Sequence, residues 1–161
     1  VVFTRNALVI VVPRSNPARI RSVYDLSRHG VKIDIADPAV PVGSYTLKAL
    51  QKLKLTAKVT ANVVSRETDV RSVLGKVALG QADAGFVYST DARTVPGKVR
   101  VIKLPARAQP YVAYALAVVA HSRQRAAAEA FVKRVTARAG QAQLLKYGFL
   151  PRAEPKPKKE Q

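Results

Sequence analysis

An α/β fold, a sheet with helices packed on it, is what this 161-residue sequence predicts. Short apolar runs rich in Val and Ile alternate with segments of helical periodicity. The joints between them carry Pro, Gly, Asn and Asp, the residues of turns and helix ends. Hydrophobic residues make up 48% of the chain, enough for one domain with a core of its own.

Taken in order, "NALVIVVP" (6–13) is a continuous β-branched run closed by Pro13 and reads as a buried strand. "VYDLSRHG" is a short helix ended by Gly30, and "VKIDIADP" a second strand, with Val31, Ile33 and Ile35 alternating against polar neighbours. A helix is expected over 44–53, then a third strand in "AKVTANVVS". Thr68 can cap a helix whose Val70, Val73, Leu74, Val77 and Ala78 form one apolar stripe, stopped by Gly80. "ADAGFVY" and "GKVRVIKLP" are strands, and "YVAYALAVVA" (111–120) a longer one. An Ala-rich helix, "RQRAAAEAFVKRVTARA", is expected to break at Gly140 before a last short helix.

Charge is lopsided, with 28 Lys and Arg against 10 Asp and Glu and a formal net charge of +18. That balance invites a nucleic-acid or anionic-surface reading. The basic residues, however, are dispersed, and only the tail "KPKKEQ" is dense with them, reading as a solvated, mobile end. Four Phe, six Tyr and no Trp supply a poor stacking platform, so no specific nucleic-acid partner is expected. Without cysteine there is neither a disulfide nor a thiolate metal site. His29 and His121 lack ligand spacing, and no apolar run reaches the length of a membrane span. The chain opens without Met inside a strand-like run, as a piece of a longer chain or a processed product does.

No nucleophile elbow, P-loop or dinucleotide fingerprint is present. Asp37, Asp69 and Asp91 each have a sufficient structural role in a turn or helix start, and no His stands near the carboxylates. No catalytic constellation emerges, and an enzyme is not expected. What recurs is a strand running into a helix start, at 37–44, 65–70 and 88–91. Helix N-termini carry unpaired N–H groups and partial positive charge, which suit anions. In open α/β sheets such ends gather along the carboxyl edge of the strands. Small neighbours (Ala39, Val42 and Gly43) would let a ligand approach the backbone.

Four segments in this order, "RNALVIVVPRSNP", "ADPAVPVGSYTLKALQKL", "TDVRSVLGKVALGQADAGFVYSTDA" and "GQAQLLKYGFLP", resemble the molybdate-binding protein family, the solute-binding components of molybdate ABC transporters. The resemblance covers nearly all of the chain except the tail. It implies a fold of the type II periplasmic-binding-protein kind, two lobes closing on a tetrahedral oxyanion held by neutral donors. The metal is then bound as its oxyanion, molybdate or tungstate, with no separate cofactor and no direct metal ligand. Carried over, the contacts fall on the N–H of Val42, the N–H of Val70 and the hydroxyl of Tyr88. The implied partner is an ABC transporter permease, the location periplasmic or extracytoplasmic, and any membrane contact indirect, through the transporter or an anchor outside this chain.

Against the family pattern the chain lacks the N-terminal segment, which builds much of lobe one and supplies serine hydroxyls. The expected organisation is a crossing strand over 1–12, lobe two over 13–108, a return strand and C-terminal helices of lobe one over 109–150, and the basic tail over 151–161. Tyr111 and Tyr114 fall near the expected hinge. Two alternatives accompany this reading: an oxyanion-sensing effector domain of a regulator, and a truncated relative with weak or no binding.

Overall fold

In a computed structural model the described residues are 1–152, so most of the basic tail lies outside them. The described chain forms two compact units, one of Ala7–Pro110 and one of Val1–Asn6 together with 111–152.

The larger unit is a five-stranded sheet in the order β4-β3-β5-β2-β6, with β2 Leu8–Pro13, β3 Ile33–Ala36, β4 Val63–Glu67, β5 Ala84–Tyr88 and β6 Val99–Lys103. Strand β3 runs parallel to β4 and β5, whereas β2 is antiparallel to both β5 and β6. All six residues of β2 are buried, as its unbroken apolar run requires of a strand with neighbours on both sides. The edge strands β4 and β6 carry exposed residues instead. Helices α1 (Pro41–Lys52) and α3 (Val70–Ala78) connect β3 to β4 and β4 to β5. These two connections run in opposite directions across the sheet. With right-handed crossovers, α1 and α3 therefore lie on opposite faces. Gly85 in β5 faces α3, because a Cβ there would meet Val73 Cγ1 at 2.6 Å and Val77 Cγ2 at 3.0 Å. Alternation along β5 then puts Phe86 and Tyr88 on the α1 face.

Three expectations for this unit need correction. The third strand is confined to β4, and the residues before it form the short helix α2, Thr56–Thr60. Helix α1 begins at Pro41 rather than Ser44, since proline at the first helical position has a φ already suited to the helix and an N–H that is not needed. The cap of α3 is Asp69, not Thr68: its carboxylate takes the N–H groups of Arg71 and Ser72 at 2.8 and 2.9 Å.

The smaller unit pairs β1 (Val2–Asn6) antiparallel with β7 (Val112–Ala115) and carries α5 (Arg125–Thr136) and α6 (Arg138–Lys146). Of the expected ten-residue strand over 111–120, β7 covers four residues, and pairing ends at Leu116, which exchanges backbone bonds with Val1 at 2.6 and 2.9 Å. The helix break falls at Ala137, whose ψ of 163° is extended, and Gly140 lies inside α6. There a Cβ would come within 2.4 Å of Arg134 O, so the glycine lets α6 start directly against the end of α5. Tyr114 packs between Phe3 and Phe149, at ring separations of 6.4 and 5.8 Å.

One buried polar cluster interrupts the core of the larger unit. Asp34 on β3 is fully buried, with neither carboxylate oxygen hydrogen-bonded among the described residues. Glu67, on neighbouring β4, is held by Lys76 Nζ and Ser65 Oγ, both at 2.5 Å. Burial, reinforced by the negative charge of Glu67, pushes the Asp34 carboxyl up to about 6, while Lys76 opposes the shift. A carboxyl raised in the folded state stabilises below its unfolded value near 3.8, and that contribution is lost as pH rises through about 6. Asp34→Asn should therefore gain stability over the parent as pH increases, by about 1–2 kcal/mol between pH 4 and 7.5. Urea denaturation across that range checks this, and a difference that does not vary with pH contradicts it.

The start of α1 imposes a second constraint. A Cβ on Gly43 would lie 2.2 Å from Asp37 O and 2.5 Å from Ala36 O, both backbone atoms that cannot swing away. Gly43→Ala should cost about 2–4 kcal/mol in urea denaturation, because the helix must lift off the end of β3.

Candidate oxyanion site

The parallel run of β3, β4 and β5 brings their carboxyl ends to one edge of the sheet. Ala36 is opposite Glu67, and Asp34 opposite Gly85, so the residues following β3, β4 and β5 emerge side by side. Asp37 N–H extends the pairing by donating to Glu67 O at 2.8 Å. Leu8, which opens β2, lies opposite Tyr88 at the same edge. The three junctions expected from the sequence are thus neighbours in space.

They are not equivalent. At α1 the cap residue is Val40, whose side chain accepts no hydrogen bond, and the first turn carries no acidic residue. Ser44 N–H reaches Val40 O at 3.1 Å, and Pro41 has no N–H to place. The N–H groups of Val42 and Gly43 remain, and nothing among the described residues accepts from either. Val42 is only 1% exposed, so water hardly reaches that donor. Two unpaired, shielded donors at the positive end of a twelve-residue helix are a strong demand for an acceptor. The Asp37 carboxylate does not meet it, since its Oδ1 takes Ala39 N–H at 2.9 Å.

At α3 the balance differs. Asp69 supplies its own anion to the helix end, taking Arg71 N–H, Ser72 N–H and the Ser72 hydroxyl, the last at 2.8 Å. These bonds hold its carboxyl below the usual carboxylate range. They also pass over the first helical residue, so Val70 N–H has no acceptor among the described residues. At the third junction Tyr88 caps the four-residue α4 (Ser89–Ala92), and its N–H donates to Asp91 Oδ2 at 3.1 Å. Burial raises the Asp91 carboxyl, against the hydrogen bond from Tyr88 and the charge of Arg71.

The fold thus brings Val42, Val70 and Tyr88 to one edge, with Tyr88 on the sheet face that α1 covers. Gly43 N–H is a donor the sequence reading passed over, although the P-x-G spacing at a helix start was its signal. Lys76, the ammonium that grips Glu67, points its charge into the Asp34 cluster and not to the helix starts. The donors assembled here are dipoles. Among the described residues no group of His, Asp and Glu could hold a bare metal ion.

Comparison with known proteins agrees with this architecture. Residues 1–150 match the family model described as bacterial extracellular solute-binding protein. The molybdate-binding protein ModA of Mycobacterium tuberculosis is 42% identical over 147 residues, covering 91% of this chain and 55% of that protein. A putative ABC transporter substrate-binding lipoprotein of Bacillus subtilis is 34% identical, over 89% of this chain and 55% of its own length. Among solved structures, the substrate-binding domain of a putative molybdenum ABC transporter from Clostridium difficile superposes with a TM-score of 0.81 at 27% identity, covering 96% of this chain and 66% of that one. This chain therefore spans about half the length of the curated relatives it matches. The fold is that of the type II periplasmic binding proteins, and the relatives are named for binding solutes, none for catalysis. On the match to its first 150 residues, this chain belongs to the bacterial extracellular solute-binding proteins.

Proposed function

We propose that the carboxyl edge of the larger unit binds a tetrahedral oxyanion, molybdate or tungstate, for delivery to an ABC transporter permease outside the cytoplasmic membrane. The observation that carries this reading is the bare start of α1, with Val42 and Gly43 N–H unpaired and unacidified. Val70 N–H and the Tyr88 hydroxyl are the second and third donors. The resemblance to proteins named for molybdate binding supports the ligand class. Residues 7–110 correspond in this reading to the family's second lobe, and the smaller unit to part of its first.

The chemistry is dipolar. A molybdate dianion offers four oxygens as acceptors, and neutral N–H and O–H donors fixed by helix and sheet need no reorganisation to meet them. No cation binds so strongly that it must be stripped away on release. Asp69 and Asp91 stay committed to their caps and so leave the amides in place. The dispersed charge of +18 adds a long-range attraction for dianions, which salt screens.

Helix α3 allows a donor to be deleted cleanly. Val70 is the first helical residue and Asp69 before it is extended, at φ −156° and ψ 162°, so proline fits position 70 without losing any internal hydrogen bond. Val70→Pro should weaken molybdate binding about tenfold in calorimetric titration, whereas Val70→Ala, which keeps the N–H, stays close to the parent. Tyr88→Phe should cost a similar factor. Equal affinities for the parent and Val70→Pro would remove Val70 from the site, and no heat with either molybdate or tungstate at low salt would overturn the function.

A further inference from the structure

Strand β2 is flanked unevenly where it begins. On the β6 side the ladder stops at Val9, opposite Lys103, the last residue of β6. On the β5 side it runs on to Leu8 opposite Tyr88, and beyond that pair Ser89 N–H donates to Ala7 O at 2.9 Å. Leu8 is fully buried, so its backbone groups need partners from the protein.

A side chain supplies them. Gln109 Nε2 donates to Leu8 O at 2.7 Å, and Gln109 Oε1 accepts Leu8 N–H at 3.2 Å. The amide gives one bond and takes one, as the backbone of a strand neighbour does, and only one of its two orientations satisfies both. Gln109 is itself held in place. Its N–H closes a 3-10 turn over Ala106–Ala108 by donating to Ala106 O at 3.2 Å, and Pro110 after it favours the extended backbone seen at φ −58° and ψ 124°.

This clasp reaches the oxyanion edge through one rigid group. Ala7 C=O and Leu8 N–H belong to the same planar peptide. Gln109 holds the N–H of that peptide, and Ser89 holds its C=O. Ser89 opens α4, and Tyr88 before it caps that helix with its own N–H tied to Asp91. A tilt of the Ala7–Leu8 peptide is therefore felt where β5 turns into α4, and a hydrogen-bond donor moved by a few tenths of an ångström loses much of its bond.

We propose that Gln109 is a positioning residue of the oxyanion site: by fixing the Ala7–Leu8 peptide it fixes the turn from β5 into α4, and with it the place of the Tyr88 hydroxyl. Gln109 acts through the backbone and not on the anion. The role rests on the oxyanion reading of the carboxyl edge.

Two substitutions test it, by calorimetric titration with molybdate at about pH 5, 6.5 and 8, each compared with the parent at the same pH. Gln109→Ala removes the clasp and should bind about fivefold more weakly throughout. Gln109→Glu restores the clasp only when protonated, since a carboxylic acid both donates and accepts, whereas a carboxylate has no proton to give Leu8 O. Those bonds favour the neutral form and lift its titration above the ~4.3 of a free glutamate. Its affinity should match the parent within about twofold at the lowest pH and fall about fivefold behind at the highest. Without the anion, amide exchange at Ser89 should quicken about tenfold in Gln109→Ala while Phe86, within β5, keeps the parent rate.

Unchanged affinity or unchanged Ser89 exchange in Gln109→Ala would overturn the proposal and leave the oxyanion site standing. So would a Gln109→Glu whose affinity relative to the parent does not vary with pH, and this comparison decides alone if Gln109→Ala does not fold. A parent that takes up no molybdate would overturn the site itself and this role with it.

Discussion

The rest of the larger unit is arranged around one close approach: the first turn of α1 sits directly on the carbonyls of Ala36 and Asp37. Only glycine at position 43 permits it. The turn before it is fixed by Asp37, whose carbonyl takes Val40 N–H and whose carboxylate takes Ala39 N–H. Pro41 opens the helix abruptly, and Val40 at the cap position has no polar side chain with which to close it. Val42 and Gly43 N–H are consequently held rigid, shielded and unsatisfied. An orphan donor normally costs a protein stability, and such a cost is retained where a ligand meets it.

Electrostatics divides the edge into unlike parts. Two of the helix starts carry their own acids, Asp69 and Asp91, each engaged with backbone amides. The third, α1, carries none. Asp37, in the turn before α1, is engaged with Ala39 N–H and leaves the Val42 and Gly43 amides without an acceptor among the described residues. The Asp34–Glu67–Lys76 cluster, on the α3 side of the sheet, is closed upon itself. Glu67, at the end of β4, is engaged with Lys76 and Ser65.

Much of this was legible in the residues. The strands of 8–13, 33–36, 84–88 and 99–103 read correctly because apolar runs closed by Pro or Gly have few other ways to be buried, and the three junctions followed from the punctuation of 37–44, 65–70 and 88–91. What escaped the sequence depends on partners distant in the chain. "AKVTANVVS" has strand composition, yet its first half is wound into α2, Thr56–Thr60. The run 111–120 reads as one long strand, but a strand is only as long as the neighbour that pairs with it, and the pairing stops at Leu116, which exchanges backbone bonds with Val1. Gly140 looked like a helix breaker and is instead a packing residue, because the close contact with Arg134 is invisible to local pattern. The uneven capping of the three helix starts was hidden too, since it turns on which carboxylate reaches which amide.

The central claim, that backbone amides at the edge of the sheet hold the oxyanion, is met most directly by following those amides. In ¹⁵N–¹H correlation spectra titrated with sodium molybdate at constant ionic strength, the Val42, Gly43 and Val70 resonances should shift together along one saturable isotherm. Chloride at matched ionic strength should leave them in place. Shifts spread over the exposed lysines and arginines, with these three amides unmoved, would show that the charge of +18 attracts the anion and that the helix starts do not hold it.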